Sequence, residues 1–122
     1  MSPSPRIEID LGAIRSNSEF LVRKLSERNI SVTGVTKGVS GNPEIAMAML
    51  QGGILQLADS RVSNVRRLRE AGFNCPITMI RTPLTSEVSA VIKHCETSYH
   101  SDVQTIERLA NVAAIKKQHH GI

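Results

Sequence analysis

The sequence has 122 residues, 40% of them apolar and 21% charged, and a net charge of +4, the composition of an ordinary water-soluble globular chain. No run approaches the roughly 18 apolar residues of a membrane span, and Cys75 and Cys95 are too few and too far apart for a disulfide framework or a zinc site. The positive balance does not point to nucleic acid: one Tyr, two Phe and no Trp leave little for base stacking, and Arg66, Arg67 and Arg69 fall opposite the apolar positions of one helix, as a solvated face does.

Residues 1–5, Met-Ser-Pro-Ser-Pro, lack the basic and apolar regions of a signal peptide and are expected to be a disordered lead-in. That, with two reduced thiols, predicts a cytoplasmic protein. Residues 6–122 are expected to form one partial domain. Arg6-Ile7-Glu8-Ile9 alternates polar and apolar and predicts a short strand. Asp10 then offers an N-cap to a helix whose Leu11, Ile14, Leu21 and Leu25 share one face.

From residue 31 the pattern becomes regular. Strands are predicted at 31–36, 54–58, 77–80 and 97–100, and helices at 43–51, 61–71, 86–94 and 102–117. The strand starts are spaced by 23, 23 and 20 residues, so one βα unit repeats. The helix ends carry their own signals: Asn42-Pro43 opens the second helix, Gly52-Gly53 closes it, Gly72 closes the third, and Ser101 with Gln104 suggests a capping box.

Strands that alternate with helices of this length predict a parallel sheet covered by helices. Residues 34–43 read GVTKGVSGNP and match neither GxGxxG nor a P-loop, which disfavours the nucleotide-binding sheets. Four βα units in a chain half as long as the roughly 250 residues of a complete barrel predict the N-terminal half of a (β/α)8 TIM-type barrel, truncated where a fifth strand would start at Ile122. On that reading the sequence is a portion of something longer.

The carboxyl ends of parallel strands share one side, where barrels and open sheets alike carry their sites. Each predicted strand here ends in chemically capable side chains: Lys37, then Asp59-Ser60-Arg61, then Arg81-Thr82, then His100-Ser101. A lysine placed directly after an apolar strand either snorkels outward or presents its amine for chemistry. Asp59 and Arg61 also suit helix-start electrostatics. His119 and His120 lack spaced partners, and no metal site is expected.

Four segments carry a resemblance: PRIEIDLGAIRSN at 5–17, VTGVTKGVSGNPEIA at 32–46, LADSRVSNVRRLREAG at 57–72 and PITMIRTPLTSEV at 76–88. Together they resemble the N-terminal barrel domain of alanine racemase-like, fold-type III enzymes that use pyridoxal 5'-phosphate. The threonine before the lysine and the PEIA after the glycines are most similar to the ornithine racemase-like branch. The resemblance implies that Lys37 is the catalytic residue, joined to the cofactor as a Schiff base and then acting as a base on the substrate's α-proton. It implies an amino-acid substrate and a homodimer whose partner supplies the opposing acid/base from a second domain. Arg81 and His100, which follow strand ends directly, are the further candidates for contact with the cofactor. One position departs: alanine racemases resembling this region have a tyrosine four residues after the lysine, close to the phosphate, and here it is Gly41. The alternatives are a non-catalytic carrier of pyridoxal phosphate with the same lysine-bearing barrel, or an inactive truncated product.

Overall fold

Local signals set most of the helix boundaries. In the computed structural model, which describes residues 3–122, Asp10 caps α1 (Leu11–Ser26) by accepting the Ala13 N–H at 3.0 Å. Asn42 caps α2 (Pro43–Gln51), its side-chain oxygen accepting the N–H groups of Glu44 and Ile45 at 2.9 and 3.3 Å. Between them lies β1 (Thr33–Val35). Then follow β2 (Gln56–Asp59), α3 (Val62–Glu70), β3 (Ile77–Met79), α4 (Val88–His94), β4 (Thr97–Ser98) and α5 (Val103–Lys116).

The strands are parallel and lie in the order β1-β2-β3-β4. Doubly wound sheets reverse their strand order at a switch point; here it never reverses. Gly121 continues the series, pairing in parallel with Thr97 and exchanging hydrogen bonds with Ser98 and Glu96 at 3.0 and 2.9 Å. Consecutive right-handed crossovers place successive helices on one face. Register assigns Gly34, Leu57, Ile77, Met79 and Ser98 to that covered face, in line with Asp59. Leu57, Ile77 and Met79 are fully buried there against Val65, Leu68, Val88, Val91 and Leu109, each contributing about 1.5–3 kcal/mol of transfer free energy. Val35, Ala58, Thr78 and Thr97 line the other face, where Val35 is exposed.

Several expectations are corrected. Arg6–Ile9 forms no strand: no other strand lies beside it among the described residues, and Ile7 is almost fully exposed. Part of the expected lead-in, residues 1–2, lies outside the described residues. Leu11 and Leu21 are exposed; α1 instead meets the end of α2 through Ser18 and Val22, close enough that a side chain on Gly52 would run into Ser18 and the Arg15 carbonyl. The fourth helix begins as a 3-10 turn, Thr85–Glu87. Asp102, and not Ser101, caps α5, accepting from the Thr105 N–H at 2.8 Å.

Arg69 is not part of a solvated face. Its guanidinium donates to the carbonyls of His94, Phe73 and Cys75 at 2.8–3.0 Å and pairs with Glu96 at 3.0 Å. Arg66 and Arg67 are exposed, as expected. Both cysteines are free thiols, and burial pushes that of Cys95 up to about 12, which leaves it inert. No described helix is long and apolar enough to cross a membrane.

Candidate active site

At the carboxyl end of β1 the chain enters a 3-10 turn, Lys37–Val39, through the buried Thr36. The Thr36 N–H donates to the Ala58 carbonyl at 3.0 Å, extending the β1–β2 ladder by one residue. The Thr36 carbonyl then accepts the N–H groups of Val39 and Gly41 at 3.1 and 3.0 Å. Ser40 and Gly41 are left-handed, with φ of 54° and 63°, and return the chain to α2. A Cβ on Gly41 would stand 2.8 Å from the Cβ of Asn64, so this position carries no side chain that could approach a phosphate.

Lys37 is exposed on this turn. At the end of β1 its side chain is not buried. Nor does a carboxylate claim it: the ion pairs among the described residues are Arg6–Glu8, Arg15–Glu19, Arg69–Glu96 and Arg81–Glu87. Its primary amine is therefore available to a carbonyl-bearing group.

Asp59 ends β2 beside this turn and is fully buried. It accepts from the Thr36 hydroxyl at 2.7 Å, the Arg61 N–H at 2.9 Å and the Asn64 amide at 3.1 and 3.2 Å. The helix-start role expected for Asp59 is present in the Arg61 contact. The bond to Thr36, 23 residues away, has no counterpart in a local reading.

Arg81 stands at the end of β3 with most of its donors engaged. Nε donates to the Ser60 carbonyl at 2.9 Å, Nη1 to the Thr82 carbonyl at 3.1 Å and Nη2 to the Glu87 carboxylate at 3.0 Å. Glu87 also accepts the Leu84 N–H at 2.9 Å. Arg61, Arg66, Arg81 and Glu87 border a groove of about 430 Å³ between α3 and the start of α4.

At the end of β4, the buried Ser98 hydroxyl lies 2.7 Å from Nε2 of His100 and 2.8 Å from Nε2 of His120. One hydroxyl proton serves only one of the two rings, so at least one of them presents a protonated Nε2 to the Ser98 oxygen. Nδ1 of each ring is buried and without a partner among the described residues. Burial, reinforced by the neighbouring His100, holds His120 below the ordinary imidazole value.

Lys37, Asp59 and Arg81 thus end successive strands, with Lys37 and Asp59 linked through Thr36. His100 is turned to Ser98 and joins His120, for which the sequence predicts no spaced partner. Sequence reasoning missed Asn64 and Ser98. The signal for Asn64 was an amide beside the buried Val65 and Leu68 of α3; Ser98 had none beyond its place in a short strand.

The family model described as "Alanine racemase, N-terminal domain" matches residues 9–122. The chain is 32% identical over 114 residues to the lysine racemase of Thermotoga maritima, covering 93% of this chain and 32% of that protein. It is 25% identical over 118 residues to the ornithine racemase of Acetoanaerobium sticklandii, covering 97% and 33%. The chain therefore spans about a third of the length of these curated relatives. Among solved structures, an alanine racemase of Clostridium difficile superposes with a TM-score of 0.76 at 19% identity, over 88% of this chain and 30% of that one. A D-threonine aldolase of Filomicrobium marinum gives 0.79 at 16% identity, over 95% and 32%. At such identities these likenesses establish the fold, the N-terminal part of a TIM-type barrel.

Proposed function

The chain belongs to the alanine racemase N-terminal domain family, and from that premise we propose that Lys37 holds pyridoxal phosphate covalently in an amino-acid racemase. The carrying observation is the exposed, unpaired amine at the carboxyl end of β1, the side on which parallel α/β folds place their chemistry. The family likeness and the free amine fit this cofactor. Gly41, where an added Cβ would have no room, requires its phosphate to be held by other groups.

Bound there, the cofactor supplies an electron sink for the charge left at a substrate's α-carbon when its proton departs. Lys37 would hold the cofactor, and its amine, when free, would accept the α-proton on its own face of the substrate. We assign the opposing acid/base to a partner subunit. Arg81 and His100 are secondary contacts in this reading: Arg81 keeps an Nη1 hydrogen uncommitted beside its bond to Thr82, and Nδ1 of His100 has no partner among the described residues. The substrates to try first are the diamino acids lysine and ornithine, on which the two relatives named above act.

Borohydride reduction of the cofactor-loaded protein, followed by peptide mapping, is expected to place the label on Lys37. A label on Lys24 or Lys93 would overturn the assignment. Lys37→Ala is expected to abolish both the absorbance of bound cofactor and α-proton exchange from lysine or ornithine in deuterated water. Racemisation surviving in that variant would refute the proposed role, and a loaded wild-type protein without exchange on any amino acid would favour the carrier reading.

A further inference from the structure

We propose that Asp59 is a positioning residue for Lys37, acting through Thr36 and Asn64; this rests on the assignment of Lys37 above. Three groups donate four contacts to its carboxylate: the Thr36 hydroxyl, the Arg61 N–H and the Asn64 amide to both oxygens. An acceptor-only carboxylate satisfies all of them, whereas an asparagine would turn two of its own hydrogens toward donors. The group is fully buried, and no cation pairs with it among the described residues. Such burial costs several kcal/mol unless every lone pair is used, so the arrangement fixes geometry more than it adds stability.

The geometry it fixes is that of the Lys37 turn. Thr36 is the residue immediately before Lys37, and the N–H groups of Val39 and Gly41 both close the turn onto its carbonyl. The outgoing leg is therefore tied to Asp59 through the Thr36 hydroxyl. The returning leg is tied through Asn64, whose side chain is held by Asp59 and whose Cβ leaves no room for a Cβ on Gly41. One carboxylate on β2 thereby determines where the backbone under Lys37 lies. An amine that must meet a carbonyl carbon and later an α-proton is sensitive to such placement, since a displacement of about 1 Å can cost on the order of a hundredfold in rate.

The test uses the full chain loaded with pyridoxal phosphate, comparing Asp59→Asn, Thr36→Val and Thr36→Ser with the wild type. Asp59→Asn and Thr36→Val are expected to keep the wild-type circular dichroism and still to label at Lys37. They should bind pyridoxal phosphate about tenfold more weakly, shift the pH midpoint of the bound-cofactor absorbance, and lower kcat with little change in KM. Thr36→Ser, which keeps the hydroxyl, is expected to restore all of these. If Asp59→Asn fails to fold, the two Thr36 variants decide the matter. A folded Thr36→Val with wild-type affinity and pH midpoint overturns the proposal, as does a Thr36→Ser equally impaired. Wild-type protein labelled elsewhere than Lys37 would instead reject the assignment on which the proposal rests.

Discussion

Gly41 shows how one residue can settle both backbone and chemistry. Its φ of 63° lies in the left-handed region, which costs a non-glycine residue about 1–2 kcal/mol. A Cβ there would also stand 2.8 Å from the Asn64 Cβ and 3.0 Å from its carbonyl oxygen, so the neighbouring helix start would have to shift. Gly41→Ala is expected to lower stability by about 2–4 kcal/mol in urea denaturation. Gly38→Ala, whose Cβ would meet nothing within 4 Å, should stay within about 0.5 kcal/mol of the wild type. A Gly38 variant as damaging as the Gly41 one would show that the turn is strained elsewhere. Lys37 and Gly41 were legible in sequence because strand, lysine and glycines are contiguous. Thr36 and Asp59 were each visible, but their bond was not, because it joins two strand ends that only the folded sheet brings together.

Between elements, what was legible was what is local. The Asn42-Pro43 start of α2 follows from two adjacent residues, and the structure shows both amide contacts. Arg69 was misjudged because helical periodicity assigns a face but not the neighbour beyond it; the carbonyls it gathers come from the α3–β3 connection and from the last residue of α4. The junction of β4 with the next segment is likewise non-local, resting on Ser98, His100, His120 and the Gly121 pairing. It also carries a pH dependence. Burial lowers His120 from its ordinary value of 6.5, so between that pH and the folded value the unfolded chain binds the extra proton. Its contribution is complete above about pH 6.5 and is lost as pH falls toward the folded value. His94, lowered chiefly by burial and then by Lys93, adds in the same direction. The urea midpoint of the wild type is expected to fall between pH 7.5 and 5.5, and that of His120→Gln to fall less. Equal losses in the two proteins would remove His120 from the account.

For the molecule as a whole, the sequential strand order decides how residues 1–122 should behave when expressed alone. Helices cover one sheet face, while Val35 and Tyr99 stand exposed at the ends of the first and last strands. β1 pairs with β2 on one side only among the described residues, and beyond β4 there is a single bridge at Gly121. Unpaired strand edges beside uncovered apolar side chains favour edge-to-edge association. Phe20 and Leu21 on α1 and Ile115 on α5 add exposed apolar surface at both ends of the helix layer. The isolated segment is therefore expected to self-associate at micromolar concentration, with a mass by light scattering above that of the 13.3 kDa chain. Added pyridoxal phosphate should not reverse this, because a covalent link at Lys37 covers neither the β1 edge nor the open face. A monodisperse monomer would mean that a four-strand sheet with one covered face is sufficient here, and that the exposed edges carry no association energy.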